Sequence, residues 1–205
     1  MKKGYDNVSF FYDGLSRMVF GKRLLRAQQM SLGKIAAPAR ILIIGGGSGW
    51  ILGEICNNIT EGLEITYADA APKMIAQAKK RDIKGNTITF IALPIEKSGI
   101  RAQYDFVITP FLFDNFTEGE AARIFAEIHN LLKPGGYWLF TDFQQTSNWW
   151  YRSVLKCMYI FFGLFCGIKA TRLPGMEGLF KRYGYRVERE GYMQRGFVVS
   201  RVYTR

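Results

Sequence analysis

Residues 40–50 read RILIIGGGSGW. Four aliphatic residues run into four glycines within five positions, and an apolar stretch resumes at Trp50. A short aliphatic run ended by glycine suits a buried strand. A glycine-rich turn that feeds a helix marks a place where backbone must pass close to another group. Two common guests of such a loop are excluded by its ending. A phosphate loop closes with Gly-Lys-Ser/Thr, whereas Gly49 is followed by Trp50 and Ile51. A dinucleotide loop needs G-x-G-x-x-G, and its third glycine position holds Trp50. What fits is G-x-G-x-G at Gly45, Gly47 and Gly49, with Gly46 between them.

Outward from this loop, strand and helix patterns alternate. Strands are predicted at 39–45, 63–69, 86–92, 104–110 and 137–143, and helices at 48–59, 71–81 and 117–132. Pro72 stands in the first turn of its helix, where a missing N–H is harmless, and Thr117 with Glu120 has capping-box spacing. KPGG (133–136) breaks the third of these helices. Such alternation predicts an α/β fold, a Rossmann-like doubly wound and mostly parallel sheet. The tail differs. A helical stretch at 173–184 precedes two successive strand patterns, 185–193 and 195–205, which predict an antiparallel hairpin on the sheet edge and seven strands in all. We expect a single domain over 1–205: a helical cover (1–38), a core (39–143), an apolar helical insertion (144–172) and a terminal helix with hairpin (173–205).

Composition is that of a globular chain, with 48% hydrophobic and 22% charged residues. Three cysteines without CxxC spacing and a single histidine argue against a disulfide framework and against a metal site. A reducing, cytoplasmic setting is expected. The net charge of +11 is uneven. Residues 1–40 carry eight Lys/Arg and two Asp, residues 41–142 nine basic and twelve acidic, and residues 143–205 eleven basic and three acidic. Both flanks are therefore basic. The second contains the helical stretch 149–169, whose apolar run is short for the roughly 20 residues of a bilayer span. It reads as a helix packed on its own domain, a lid over an apolar site, or an element in peripheral contact with an anionic membrane.

In a doubly wound sheet, ligands bind beyond the carboxyl ends of the strands where strand order reverses. The second strand ends in Asp69, where a carboxylate can accept both hydroxyls of a ribose or cap the next helix. A glycine loop with that acid and no pyrophosphate signature points to a nucleoside-bearing ligand other than NAD.

The segments ILIIGGGSG, ITYADAAPKMIAQAKKR, YDFVITPFLFDNF and LLKPGGYWLFTDF, in that order over residues 40–143, resemble the class I S-adenosylmethionine-dependent methyltransferases. The resemblance implies S-adenosyl-L-methionine as cofactor. Gly45, Gly46, Gly47 and Gly49 would border its methionine part, Asp69 would hold the ribose, and Ala70, Leu93 and Pro94 would lie near the adenine. Thr109 would stand beside the methyl group. The family often has an acid where this chain has Ile43, and another near Pro94. Ile43 also occurs in spermidine synthases with their IGGG loop.

YDNVSFFYDGLSRMVFGKRLLR (5–26) is similar to the opening of the ubiquinone/menaquinone C-methyltransferases and their small-molecule and lipid-methylating relatives. That likeness implies a covering segment with Tyr5, Tyr12 and Asp13 at the acceptor, joined by Phe111 and Asn115 after the fourth strand. Asp114 and Tyr12 are the candidate catalytic groups for taking a proton from the acceptor. His129 reads as surface or packing. The expected acceptor is small and apolar or amphipathic, quinone- or lipid-like. A nucleic-acid methyltransferase is the rival suggested by the high charge, but no separate basic domain is present and TPFLF stands where base methylases carry an N/D-PP-Y/F run. A non-catalytic cofactor-binding protein is the third reading.

Overall fold

The computed structural model describes residues 23–166 and 170–205. Tyr5, Tyr12, Asp13 and the expected cover up to residue 22 lie outside the described residues. In chain order the elements are α1 (Arg23–Leu32), β1 (Ala39–Ile44), α2 (Trp50–Asn58), β2 (Glu61–Ala68), α3 (Pro72–Ala78), β3 (Gly85–Ile91), β4 (Tyr104–Pro110), α4 (Glu118–Leu131), β5 (Leu132–Phe143), α5 (Trp149–Cys166), α6 (Met176–Arg182), β6 (Arg186–Met193) and β7 (Val198–Thr204). Short 3-10 turns stand at Ile95–Lys97 and Phe113–Asn115.

The strands form one seven-stranded sheet in the order β3-β2-β1-β4-β5-β7-β6. The pairs from β3 across to β5 are parallel, and β7 runs antiparallel between β5 and β6. The expected mixed sheet with an antiparallel terminal hairpin is therefore present. The continuous ILII of β1 follows from burial on both faces. Ile41 and Ile43 join Ile51, Leu52, Ile55 and Ile75 of α2 and α3 on one side. Leu42 and Ile44 join Ile124, Phe125 and Ile128 of α4 and Phe180 of α6 on the other. Ile43, where an acid is frequent in the family, is fully buried in this packing.

Thr117 caps α4 as expected: its hydroxyl accepts from Glu120 N, and the Glu120 carboxylate accepts from Thr117 N at 3.0 Å. α4 ends at Leu131, just before KPGG as expected, but β5 begins at Leu132 rather than at 137 and runs unbroken to Phe143. The register against β4 moves from Tyr104↔Leu132 to Phe106↔Tyr137, so the extra residues are absorbed as a bulge. Lys133 Nζ anchors this bulge to Asp105 Oδ1 at 2.7 Å. Strand order reverses between β1 and β4, which sets the ligand crevice between their carboxyl ends. Among the described residues, no helix is long and apolar enough to cross a membrane.

Candidate functional site

The loop from β1 to α2 turns by left-handed backbone at Gly45, Gly47 and Gly49, with φ of 70°, 61° and 77°. Three of its four glycines also have close protein neighbours. A Cβ on Gly45 would stand 2.9 Å from Leu112 Cδ1, one on Gly46 2.6 Å from Tyr67 Cζ, and one on Gly49 2.7 Å from Ala78 Cα. A Cβ on Gly47 would meet nothing within 4 Å. The loop is thus packed on Leu112, on the Tyr67 ring and on α3, and is open at Gly47. Its carbonyls are held as well: Tyr67 donates its hydroxyl to Gly47 O at 3.0 Å, and Arg81 Nε donates to Ser48 O at 3.1 Å. Gly49, expected to border a ligand, is buried against α3 and serves packing.

Asp69 faces the open side. Its Oδ2 accepts from Gly47 N at 3.0 Å and its Oδ1 from Ala71 N at 2.9 Å. The bond to Ala71 N, two residues on, closes a turn at the entrance to α3. The carboxylate therefore ties the end of β2 to the glycine loop at the one glycine that opens outward. Beside it Ala70 and Pro94 are half-buried, and Leu93 exposes 45% of its surface. This donor and acceptor set fits a nucleoside: a carboxylate for ribose hydroxyls, an apolar edge for a base, and a glycine without a side chain for close approach.

The carboxyl ends of β4 and β5 form the neighbouring wall. Phe111 takes a left-handed backbone, φ 50°, and donates its N–H to Thr141 O at 2.7 Å. A bulky residue rarely adopts this region, so the turn is strained where chain meets cleft. The 3-10 turn that follows is pinned by Asp142, which accepts from Phe113 N at 2.9 Å and Phe143 N at 2.8 Å. Burial pushes the Asp142 carboxyl up to about 7, against the backbone N–H groups of Phe143, Phe113 and Asp114 that favour its charge. Asp114 is 6% exposed, and Asn115 Nδ2 donates to its Oδ1 at 2.7 Å. Tyr159 of α5 reaches the same turn, its hydroxyl 3.4 Å from Asp114 O, and burial raises its pKa. Thr109 is corrected. Its side chain is fully buried and accepts from Trp138 Nε1 at 2.9 Å, so its hydroxyl belongs to the core and not to the cleft. His129 is half-buried, bonded to Tyr185 and packed on the Tyr183 ring.

Asp142, Tyr67, Arg81 and Tyr159 are site residues that sequence reading missed. Asp142 yields a test by linkage. Its folded pKa lies above the ordinary carboxylate value of about 4, so the native state binds the proton more tightly and stability falls as pH rises from about 4 to 7. Asp142→Asn is expected to lose less melting temperature between pH 5 and pH 8 than the wild type, read by scanning calorimetry. An equal or larger loss in the variant would contradict the assignment.

A family model described as a methyltransferase domain matches residues 41–136. This match and the sheet order described above support a class I S-adenosylmethionine-dependent methyltransferase. The methyltransferase is 28% identical over 194 residues to the ubiquinone/menaquinone biosynthesis C-methyltransferase UbiE of Wigglesworthia glossinidia brevipalpis, covering 90% of this chain and 73% of that one. It is 29% identical over 133 residues to an uncharacterized methyltransferase of Synechocystis, covering 63% and 59%. Among solved structures, magnesium protoporphyrin IX methyltransferase from Synechocystis with bound SAH superposes with a TM-score of 0.70 at 17% identity, over 98% of this methyltransferase and 95% of that chain. The matched segment spans the glycine loop, Asp69 and the turn at Asp114, so the family assignment and the cleft coincide.

Proposed function

We propose that this methyltransferase alkylates a small apolar or amphipathic acceptor, quinone- or lipid-like, held beyond β4 and β5. One observation carries this reading: α1 and α5 cover the carboxyl ends of those strands with an apolar cluster. It comprises Leu24, Ala27, Phe111, Phe143, Met158, Leu173, Phe197 and Val198, with Tyr151, Val154, Leu155 and Tyr159 packed against it. Such a wall favours an apolar body and excludes water from the reacting atoms.

S-adenosylmethionine, when bound, supplies an already activated methyl group on a sulfonium. The tasks left to the chain are binding, alignment and proton removal. Asp69, with Gly47 at the open loop, would hold the nucleoside, and Ala70, Leu93 and Pro94 would flank the base. Alignment for in-line displacement would come from the rigid Phe111–Asn115 turn, pinned by Asp142. Asp114 would take the proton that the acceptor loses, and Asn115, bonded to its Oδ1, would orient it. An acceptor of this kind also resides at an anionic membrane surface, where a basic protein would meet it.

The test is transfer of labelled methyl from the cofactor into separated pools of quinone precursors, polar lipids and RNA. The expected product is in the quinone or lipid pool, and Asp114→Asn should lower its formation about 100-fold at unchanged cofactor affinity. Label found in RNA alone would overturn the acceptor class, and an unaffected variant would remove Asp114 from the reaction.

A further inference from the structure

The inner side of α5 is accounted for by the acceptor wall; its outer side is not. Trp149, Trp150, Ile160 and Leu164 expose 72%, 58%, 54% and 76% of their surface. Eight large hydrophobic residues are exposed among the described residues, and four of them stand on this one helix. They are not scattered around it. At about 100° per residue, Trp149, Ile160, Leu164 and Trp150 fall within one sector of roughly 100°, with Ser153 and Cys157 between them. Arg152, Lys156 and Gly163, all exposed, form one border of that sector. The opposite border turns inward to Val154 and Phe161, which pack on the apolar cluster. The two indoles meet edge to face at 5.9 Å, making a broad amphipathic tip at the start of the helix.

Chemistry selects among occupants. A protein groove would match the apolar sector but not require the basic border. A bilayer surface matches both, since buried Trp and Leu with Lys/Arg at the phosphate level is the pattern of a helix lying in the interface. The stretch of sequence that carries the helix is itself basic, with eleven Lys/Arg against three Asp/Glu over residues 143–205. The helix is not suited to span. We propose that the outer face of α5 is an interfacial anchor that docks on an anionic lipid bilayer through Trp149, Trp150, Ile160 and Leu164, with Arg152 and Lys156 on the headgroup phosphates. Docking itself does not depend on the acceptor reading. It adds to that reading that the helix roofing the acceptor wall would rest on the membrane, so an acceptor dissolved there reaches the site without crossing water.

The test is co-sedimentation of the whole protein with phosphatidylcholine vesicles, with and without about one third phosphatidylglycerol. The wild type should bind the anionic vesicles and release as salt rises to about 0.5 M, with tryptophan emission shifting to the blue on binding. Arg152→Glu/Lys156→Glu should weaken binding about 30-fold or more, and Trp149→Ser/Trp150→Ser about tenfold or more, both with unchanged circular dichroism and cofactor affinity. Absence of binding to anionic vesicles by the monomeric wild type would overturn the proposal. So would binding untouched by either double variant. A concentration-dependent dimer that dissolves in Trp149→Ser/Trp150→Ser, without vesicle binding, would assign the face to a second copy of the chain and also overturn it. Loss of methyl transfer with vesicle binding intact would count against the acceptor reading alone.

Discussion

Gly49→Ala is expected to destabilise the protein by about 2–5 kcal/mol, while Gly47→Ala, two residues away, should cost stability by only about 1–2 kcal/mol. Both residues sit in left-handed backbone, so an added Cβ brings the same kind of conformational strain to each. The difference lies in what the methyl group meets. At Gly49 it would stand 2.7 Å from Ala78 Cα and 2.8 Å from Ala78 Cβ, atoms of the α3 backbone that have no rotamer to change. At Gly47 it enters open space. The order should reverse for cofactor binding relative to stability: Gly47→Ala places its methyl group in the cleft and should weaken affinity about tenfold or more, a loss of about 1.4 kcal/mol per factor of ten. Denaturant titration and calorimetric cofactor titration on the two variants check this. Equal destabilisation by both substitutions would contradict the assigned packing of the loop.

The second large effect is at Asp69. Hydrogen bonds to a charged group contribute about 1.5–3 kcal/mol each, so loss of two ribose contacts in Asp69→Ala should weaken the cofactor about 100-fold or more. Asp69→Asn retains one carbonyl acceptor and should lose about tenfold. Asp69 also ties Gly47 N and Ala71 N. Part of the loss in the alanine variant will therefore come from a looser loop, and thermal unfolding of the unliganded variants separates the two contributions.

The positions of the strands were legible because each aliphatic run is bounded by polar or glycine residues. YDFVITP, read as 104–110, is β4 with the same bounds. The hairpin was legible from two successive strand patterns, though not that β7 rather than β6 would lie beside β5. KPGG correctly marked the end of the helix but hid the start of β5, because a bulge can absorb proline and glycine without interrupting the strand. Thr109, placed beside the methyl group by the resemblance alone, has its hydroxyl turned to Trp138 in the core, a contact that the sequence does not reveal. The supports of the glycine loop were invisible in sequence. Tyr67 lies 20 residues from Gly47, and Arg81 lies 33 from Ser48. Asp142 could be located at the end of the fifth strand, yet its raised pKa depends on a burial that the sequence does not show.

The central proposal is that the cleft bounded by Gly47, Asp69 and the β4 turn holds a sulfonium nucleoside. The most direct test is calorimetric titration of the wild-type protein with S-adenosylmethionine and S-adenosylhomocysteine, with Asp69→Ala beside it. Saturable binding of both nucleosides at one site, in the micromolar range typical of cofactor recognition and weakened about 100-fold or more in the variant, is the predicted result. Absence of heat from folded wild-type protein at millimolar ligand, or binding that Asp69→Ala leaves unchanged, would contradict it.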